Sequence, residues 1–98
     1  MNIEKSLIII DDETSLLFVL KEYLEQRGLQ VFTYEAIPDL ENELKEKEPH
    51  AVLLDILMPE VSGIDILKKI KLINKKIPVI MMTAVSYTHL TLPTILLV

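Results

Sequence analysis

The sequence predicts a single α/β domain, a parallel sheet with helices on both faces, and three observations carry that reading. Two short apolar runs without polar alternation, residues 7–10 and 51–54, each end in a carboxylate, Asp11 and Asp55. Such runs fit strands buried on both faces. Between the strand-like runs lie segments whose apolar residues recur three and four positions apart. The resulting order β-α-β-α-β-α-β implies parallel strands joined by right-handed crossovers. Finally, 98 residues of which 50% are apolar suffice for one modest core and leave no room for two domains.

The first strand, residues 7–10, delivers Asp11, Asp12 and Glu13 at its carboxyl end. Thr14 or Ser15 is placed to cap a helix bearing Leu16, Leu17, Leu20, Tyr23 and Leu24, and Gly28 to stop it. Residues 30–34 are β-branched and aromatic enough for a short strand nearer the sheet edge. Ile37, Leu40 and Leu44 then carry helical spacing through a charged segment that Pro49 ends, the pattern of an amphipathic surface helix.

Asp55 closes the third strand, at the sheet edge where open α/β folds bind ligands. Pro59 biases Met58 toward extended geometry and holds the following loop rigid. Gly63 is expected to supply a backbone conformation closed to other residues, with Ser62 a candidate cap for a helix starting near Ile64. That helix has Ile66, Leu67, Ile70 and Ile73 inward and Lys68, Lys69 and Lys71 outward, with Lys75 and Lys76 complementing its dipole. Pro78 opens a fourth strand, residues 79–82, and Thr83-Ala84 falls at its carboxyl end.

Composition narrows the chemistry. The absence of cysteine excludes disulfides and thiolate metal sites and suits a reducing compartment. A net charge of −5 argues against a nucleic-acid surface and suits a cation partner. The amino-terminal apolar run is too short for a signal core or a membrane span, so a soluble, cytoplasmic chain is expected. All twenty-five charged residues precede Ala84, and residues 85–98 contain none.

These residues together resemble a response-regulator receiver domain of two-component signalling. The match rests on Asp11 and Asp12 after strand one, Asp55 ending strand three, Met58-Pro59 and Gly63 beyond it, and Thr83-Ala84 after strand four, and spans residues 5–84. The resemblance implies a flavodoxin-like doubly wound parallel sheet, here incomplete, with four of five strands and three of five helices. It further implies that Asp55 is the phosphoacceptor and that Thr83 contacts the transferred phosphoryl group. Mg²⁺ would be held by Asp11, Asp12, Asp55 and the backbone carbonyl of Leu57. The partners implied are a sensor histidine kinase or phosphotransfer protein, and an output domain outside this chain.

The residue types suit that chemistry. A carboxylate can take a phosphoryl group as an acyl phosphate, provided charge on the equatorial oxygens is neutralised. Mg²⁺ prefers hard oxygen ligands and usually keeps water and phosphate in its shell. Two carboxylates about 4 Å apart repel by roughly 4 kcal/mol at an effective dielectric of about 20, which a bound cation relieves. Taken singly, a strand-end Asp is more often a turn or cap residue, and Thr83 an ordinary hydroxyl; their joint placement favours the functional reading. Met58, Met81 and Met82 read as core filling, the lysine-rich helix as a solvated face, and His50, without companion ligands, as inert.

Beyond strand four the sequence departs from the family. No Lys or Arg follows Lys76, so the family's fifth-strand lysine has no counterpart, and phosphate uptake by this chain is expected to be poor. Residues 85–94, Val-Ser-Tyr-Thr-His-Leu-Thr-Leu-Pro-Thr, resemble the conceptual translation of a transposon-based sequencing adapter. A non-native tail over residues 85–98 is therefore expected, ahead of a divergent loop ending in a strand at 95–98. Without the family's last strand and helices, an open sheet edge, uncovered apolar surface and an aggregation-prone chain are expected. The rival functions are a small Mg²⁺-dependent aspartyl-phosphate phosphatase or phosphotransferase, and a receiver-like interaction module that is never phosphorylated. The phosphatase reading expects two Asp two residues apart, which adjacent Asp11 and Asp12 do not provide.

Overall fold

A computed structural model describes residues 5–58, 61–87 and 90–98, with the side chains of 61 and 83–96 outside the description. The chain runs β1 (Ser6–Ile10), α1 (Thr14–Glu25), β2 (Gln30–Tyr34), α2 (Leu40–Lys47), β3 (Ala51–Asp55), β4 (Leu57–Met58), β5 (Val61–Ser62), α3 (Gly63–Ile73), β6 (Val79–Tyr87) and β7 (Leu90–Leu97). The main sheet has the order β2-β1-β3-β6-β7. Its first four strands are parallel, in register Ile8↔Phe32, Ile8↔Val52 and Leu53↔Ile80. β4 and β5 form a small antiparallel pair beside it.

Four parallel strands with three helices are the incomplete doubly wound architecture that the apolar runs imply. β2 lies at the edge, as its composition suggested. The opposite edge differs from expectation: β6 continues to Tyr87 and pairs antiparallel with β7, from Ile80↔Leu97 to Tyr87↔Leu90. Residues 90–97 thus occupy the edge that was expected to stand open. An uncharged, β-prone run meets the unpaired amides of β6, and Pro93 is tolerated because it falls on the outermost strand.

The core divides by sheet face. On one side α2 and α3 contribute Leu40, Leu44, Ile66 and Ile70 against Ile8, Ile10, Val52, Leu54, Val79 and Met81. On the other, α1 alone seats Leu17 against Ile9 and Val31, with Leu20, Leu24 and Leu53 only partly buried. Ile80 and Met82 are likewise half-buried, so the thinner cover expected on one face is present there.

Helix ends refine the sequence reading. α1 is capped by Glu13, with extended backbone and no side-chain cap bond, because the helix begins at Thr14. The Thr14 hydroxyl instead donates to Glu35 Oε1 at 3.0 Å. At the far end Gly28, at φ +87°, closes a Schellman turn in which its N–H reaches Glu25 O at 3.0 Å and Leu29 N–H reaches Leu24 O at 3.2 Å. α2 starts after Asp39, whose carboxylate accepts the Asn42 N–H at 3.3 Å, so Ile37 packs from the preceding loop and not from the helix. His50 is not inert: its Nδ1 accepts the Ser6 N–H at 3.1 Å while its own N–H donates to Ser6 O at 2.9 Å, tying the start of β1 to that of β3.

Candidate functional site

β1 leaves the sheet at Asp11, whose N–H still donates to Tyr34 O at 3.0 Å, so β2 fixes where that residue stands. Its side chain is 4% exposed, and Oδ1 accepts the Glu13 N–H at 2.9 Å. Asp12 follows and is exposed. On the neighbouring strand Asp55 is half-buried, and its Oδ1 accepts the Leu57 N–H at 3.1 Å. The Ile56 N–H donates to Met82 O at 2.9 Å, which carries the alignment across to β6. One oxygen of Asp11 and one of Asp55 are thus occupied by backbone turns, and both side chains are held by the strand ends that carry them.

The structure brings the three predicted carboxylates together. One ligand oxygen from each of Asp11, Asp12 and Asp55 lies within 4.8 Å of the others. Three hard oxygen donors at one point, with no thiolate or imidazole among them, are a donor set for Mg²⁺ or a similar cation. Burial pushes the Asp11 carboxyl up to about 6, with Asp55, Asp12 and Glu13 adding repulsion and the Glu13 N–H opposing it. Like charges crowded into partial burial favour either a proton or a metal ion, and a divalent cation satisfies all three at once.

Gly63 is needed here for a reason other than the one expected. It does not have a positive φ; a Cβ added to it would meet Ile56 Cα at 2.7 Å and Asp55 O at 3.0 Å. The amino end of α3 therefore packs directly on the peptide that follows Asp55. Ser62 is the N-cap of that helix but makes no side-chain cap bond.

Other predicted site residues are placed less completely. Leu57 presents its N–H to Asp55, with its side chain 65% exposed. Thr83 follows Met82 on β6, in register with Thr94, and its side chain lies outside the described residues, as does Pro59. A network that the sequence reading missed links β2 to α2: the Tyr34 hydroxyl donates to Glu43, which pairs with Lys47 at 2.6 Å, and Lys47 sits 5.1 Å from the Phe32 ring centre. Residues four apart on α2 were the available signal for the Glu43–Lys47 pair.

Comparison with known proteins gives a consistent picture. The family model of the response regulator receiver domain matches residues 7–94. The response regulator SaeR of Staphylococcus epidermidis is 39% identical over 90 residues, covering 88% of this chain and 37% of that protein. The DNA-binding transcriptional regulator NtrC of Klebsiella pneumoniae is 40% identical over 78 residues, covering 80% of this chain and 17% of its own. The chain therefore spans well under half the length of these relatives. A response regulator receiver domain protein from Clostridium thermocellum superposes with a TM-score of 0.71 at 33% identity, over 79% of this chain and 63% of that one. The amino-terminal domain of a receiver protein from Methanoculleus marisnigri gives 0.74 at 30% identity, over 85% and 69%.

Proposed function

This chain belongs to the response-regulator receiver family, a family of signalling modules, and from that premise we propose that Asp55 is its phosphoacceptor. The observation that carries the reading is the meeting of the Asp11, Asp12 and Asp55 carboxylates within 4.8 Å at the carboxyl edge of the sheet. The donor is the phosphohistidine of a sensor kinase or phosphotransfer protein. A free oxygen of Asp55 attacks phosphorus in line, forming the O–P bond of an acyl phosphate as the N–P bond breaks and the imidazole departs.

Asp11, Asp12, Asp55 and the Leu57 carbonyl would hold Mg²⁺, which supplies positive charge between an anionic nucleophile and an anionic phosphoryl group. The residues of the chain do the positioning. The Leu57 N–H holds one Asp55 oxygen at 3.1 Å, orienting the carboxylate. Thr83, on the adjacent strand β6, is assigned the hydrogen bond to an equatorial phosphoryl oxygen. The kinase or phosphotransfer protein is the partner of this segment itself, and an output domain would be a separate unit, as in relatives of which this chain covers 37% or less.

The test uses the full 98-residue chain with acetyl phosphate and Mg²⁺, read by intact mass. One phosphoryl group is expected to add slowly, since no lysine follows Lys76, and to be lost in Asp55→Asn and on chelation of Mg²⁺. Addition that persists in Asp55→Asn would contradict the assignment. Absence of both addition and Mg²⁺ binding would favour the interaction-module reading instead.

A further inference from the structure

α2 and α3 pack side by side over one sheet face, and between their outer surfaces runs an open groove of about 420 Å³. Ile37, Leu40, Leu72 and Ile73 give it an apolar lining. Its rims have opposite sign: Asp39 and Glu41 belong to the α2 side, Lys69 to the α3 side. Leu72 is 87% exposed, the most exposed large apolar side chain among the described residues. Residues 68–76 also hold five of the ten basic residues of a chain whose net charge is −5. Among the described residues the ion pairs are Glu41–Lys45 and Glu43–Lys47, so the α3 lysines meet no carboxylate there.

An apolar strip with one acidic and one basic rim is complementary to itself. A two-fold axis through the strip sets each acidic rim against a basic one and returns the apolar lining to its own kind, which is what an isologous interface requires. We propose that a second copy of this chain docks in the groove, with Leu72 of each seated in the other's and Lys69 of each facing Glu41 of the other. A purely acidic peptide matches the α3 rim but is repelled by Asp39 and Glu41. The Glu41–Lys45 pair, at 3.9 Å and with both side chains at least 70% exposed, is too weak to withhold Glu41 from a partner.

Sedimentation velocity on the full chain tests this by charge exchange. The chain is expected to form a dimer that weakens with added salt. Lys69→Glu alone and Glu41→Lys alone should each weaken it at least tenfold, because every cross-pair becomes repulsive. An equimolar mixture of the two variants should restore association, since in the mixed dimer both cross-pairs are attractive again. Leu72→Asp should be monomeric, and at concentrations low enough for the unaltered chain to be monomeric as well the two should melt together, because the exposed side chain contributes little within one copy. A chain that stays monomeric at every concentration would overturn the proposal. So would association that ignores the charge reversals, as contact through the half-buried Leu53, Ile80 and Met82 would, or a mixture that fails to recover.

Discussion

Gly63 lies so close to Ile56 that a Cβ on it would stand 2.7 Å from the Ile56 Cα, well inside contact distance. Neither partner is a flexible side-chain end: one is the first residue of α3, the other the backbone that follows Asp55. Gly63→Ala must therefore shift the helix or that backbone. Overpacking of this kind typically costs about 1–3 kcal/mol. Urea unfolding should register that loss, and Mg²⁺ affinity should fall with it, since Asp55 is carried by the displaced peptide. Unchanged stability and affinity would mean that the contact is relieved without moving the site.

Asp11 makes the metal-free chain sensitive to pH in a definite direction. Its carboxyl is raised from 3.8 to about 6 in the folded state, mainly by burial. Between those values the folded chain binds more protons than the unfolded one, so stability declines as pH rises through the window. Melting temperatures measured without divalent ions should fall from pH 4 to pH 7 on this account, and Asp11→Asn should flatten the trend. Apparent Mg²⁺ affinity should fall up to about tenfold per pH unit below that carboxyl's titration, because the ion must displace the proton.

Glu48 ends α2 in the left-handed region, at φ 43° and ψ 56°. A side chain there costs roughly 1–2 kcal/mol that glycine avoids. Glu48→Gly should therefore raise stability by about 1 kcal/mol in denaturant titration, with Mg²⁺ binding unchanged because the residue lies at the opposite end of the sheet from Asp55.

Tyr34 links β2 to α2 through Glu43 and Lys47. Burial and the neighbouring Glu43 both push its hydroxyl pKa up, while the hydrogen bonds from Lys47 and Tyr34 hold the Glu43 carboxyl down. Tyr34→Phe should lower stability by about 0.5–1.5 kcal/mol, the usual contribution of one hydrogen bond. Spectrophotometric titration of the wild type should show a late-ionising hydroxyl that is lost in Tyr34→Phe.

The parts of this fold that could be read from the sequence are those set by local pattern. Continuous apolar runs marked β1, β3 and β6, and the carboxylates at the carboxyl ends of the first two, Asp11 just after β1 and Asp55 at the end of β3, marked the cluster, because a parallel sheet brings its carboxyl ends to one edge. What escaped depended on distant partners. The Ser6–His50 bond joins residues 44 apart, and no spacing announces it. Gly63 was legible as a special position, but its reason is the close approach of Ile56, which only packing creates. The antiparallel pairing of β7 with β6 follows from an open edge meeting an uncharged run, and strand order alone could not place it. Opposite charge on the two rims of the α2–α3 groove likewise appears only once the helices lie side by side.

Whether Asp11, Asp12 and Asp55 form one divalent-cation site is decided by calorimetric titration with Mg²⁺. A single binding event is expected, with protons released when the titration is run below about pH 6, and at least tenfold weaker binding in Asp11→Asn, Asp12→Asn and Asp55→Asn alike. Binding that survives all three substitutions, or no binding by the intact chain, would contradict it.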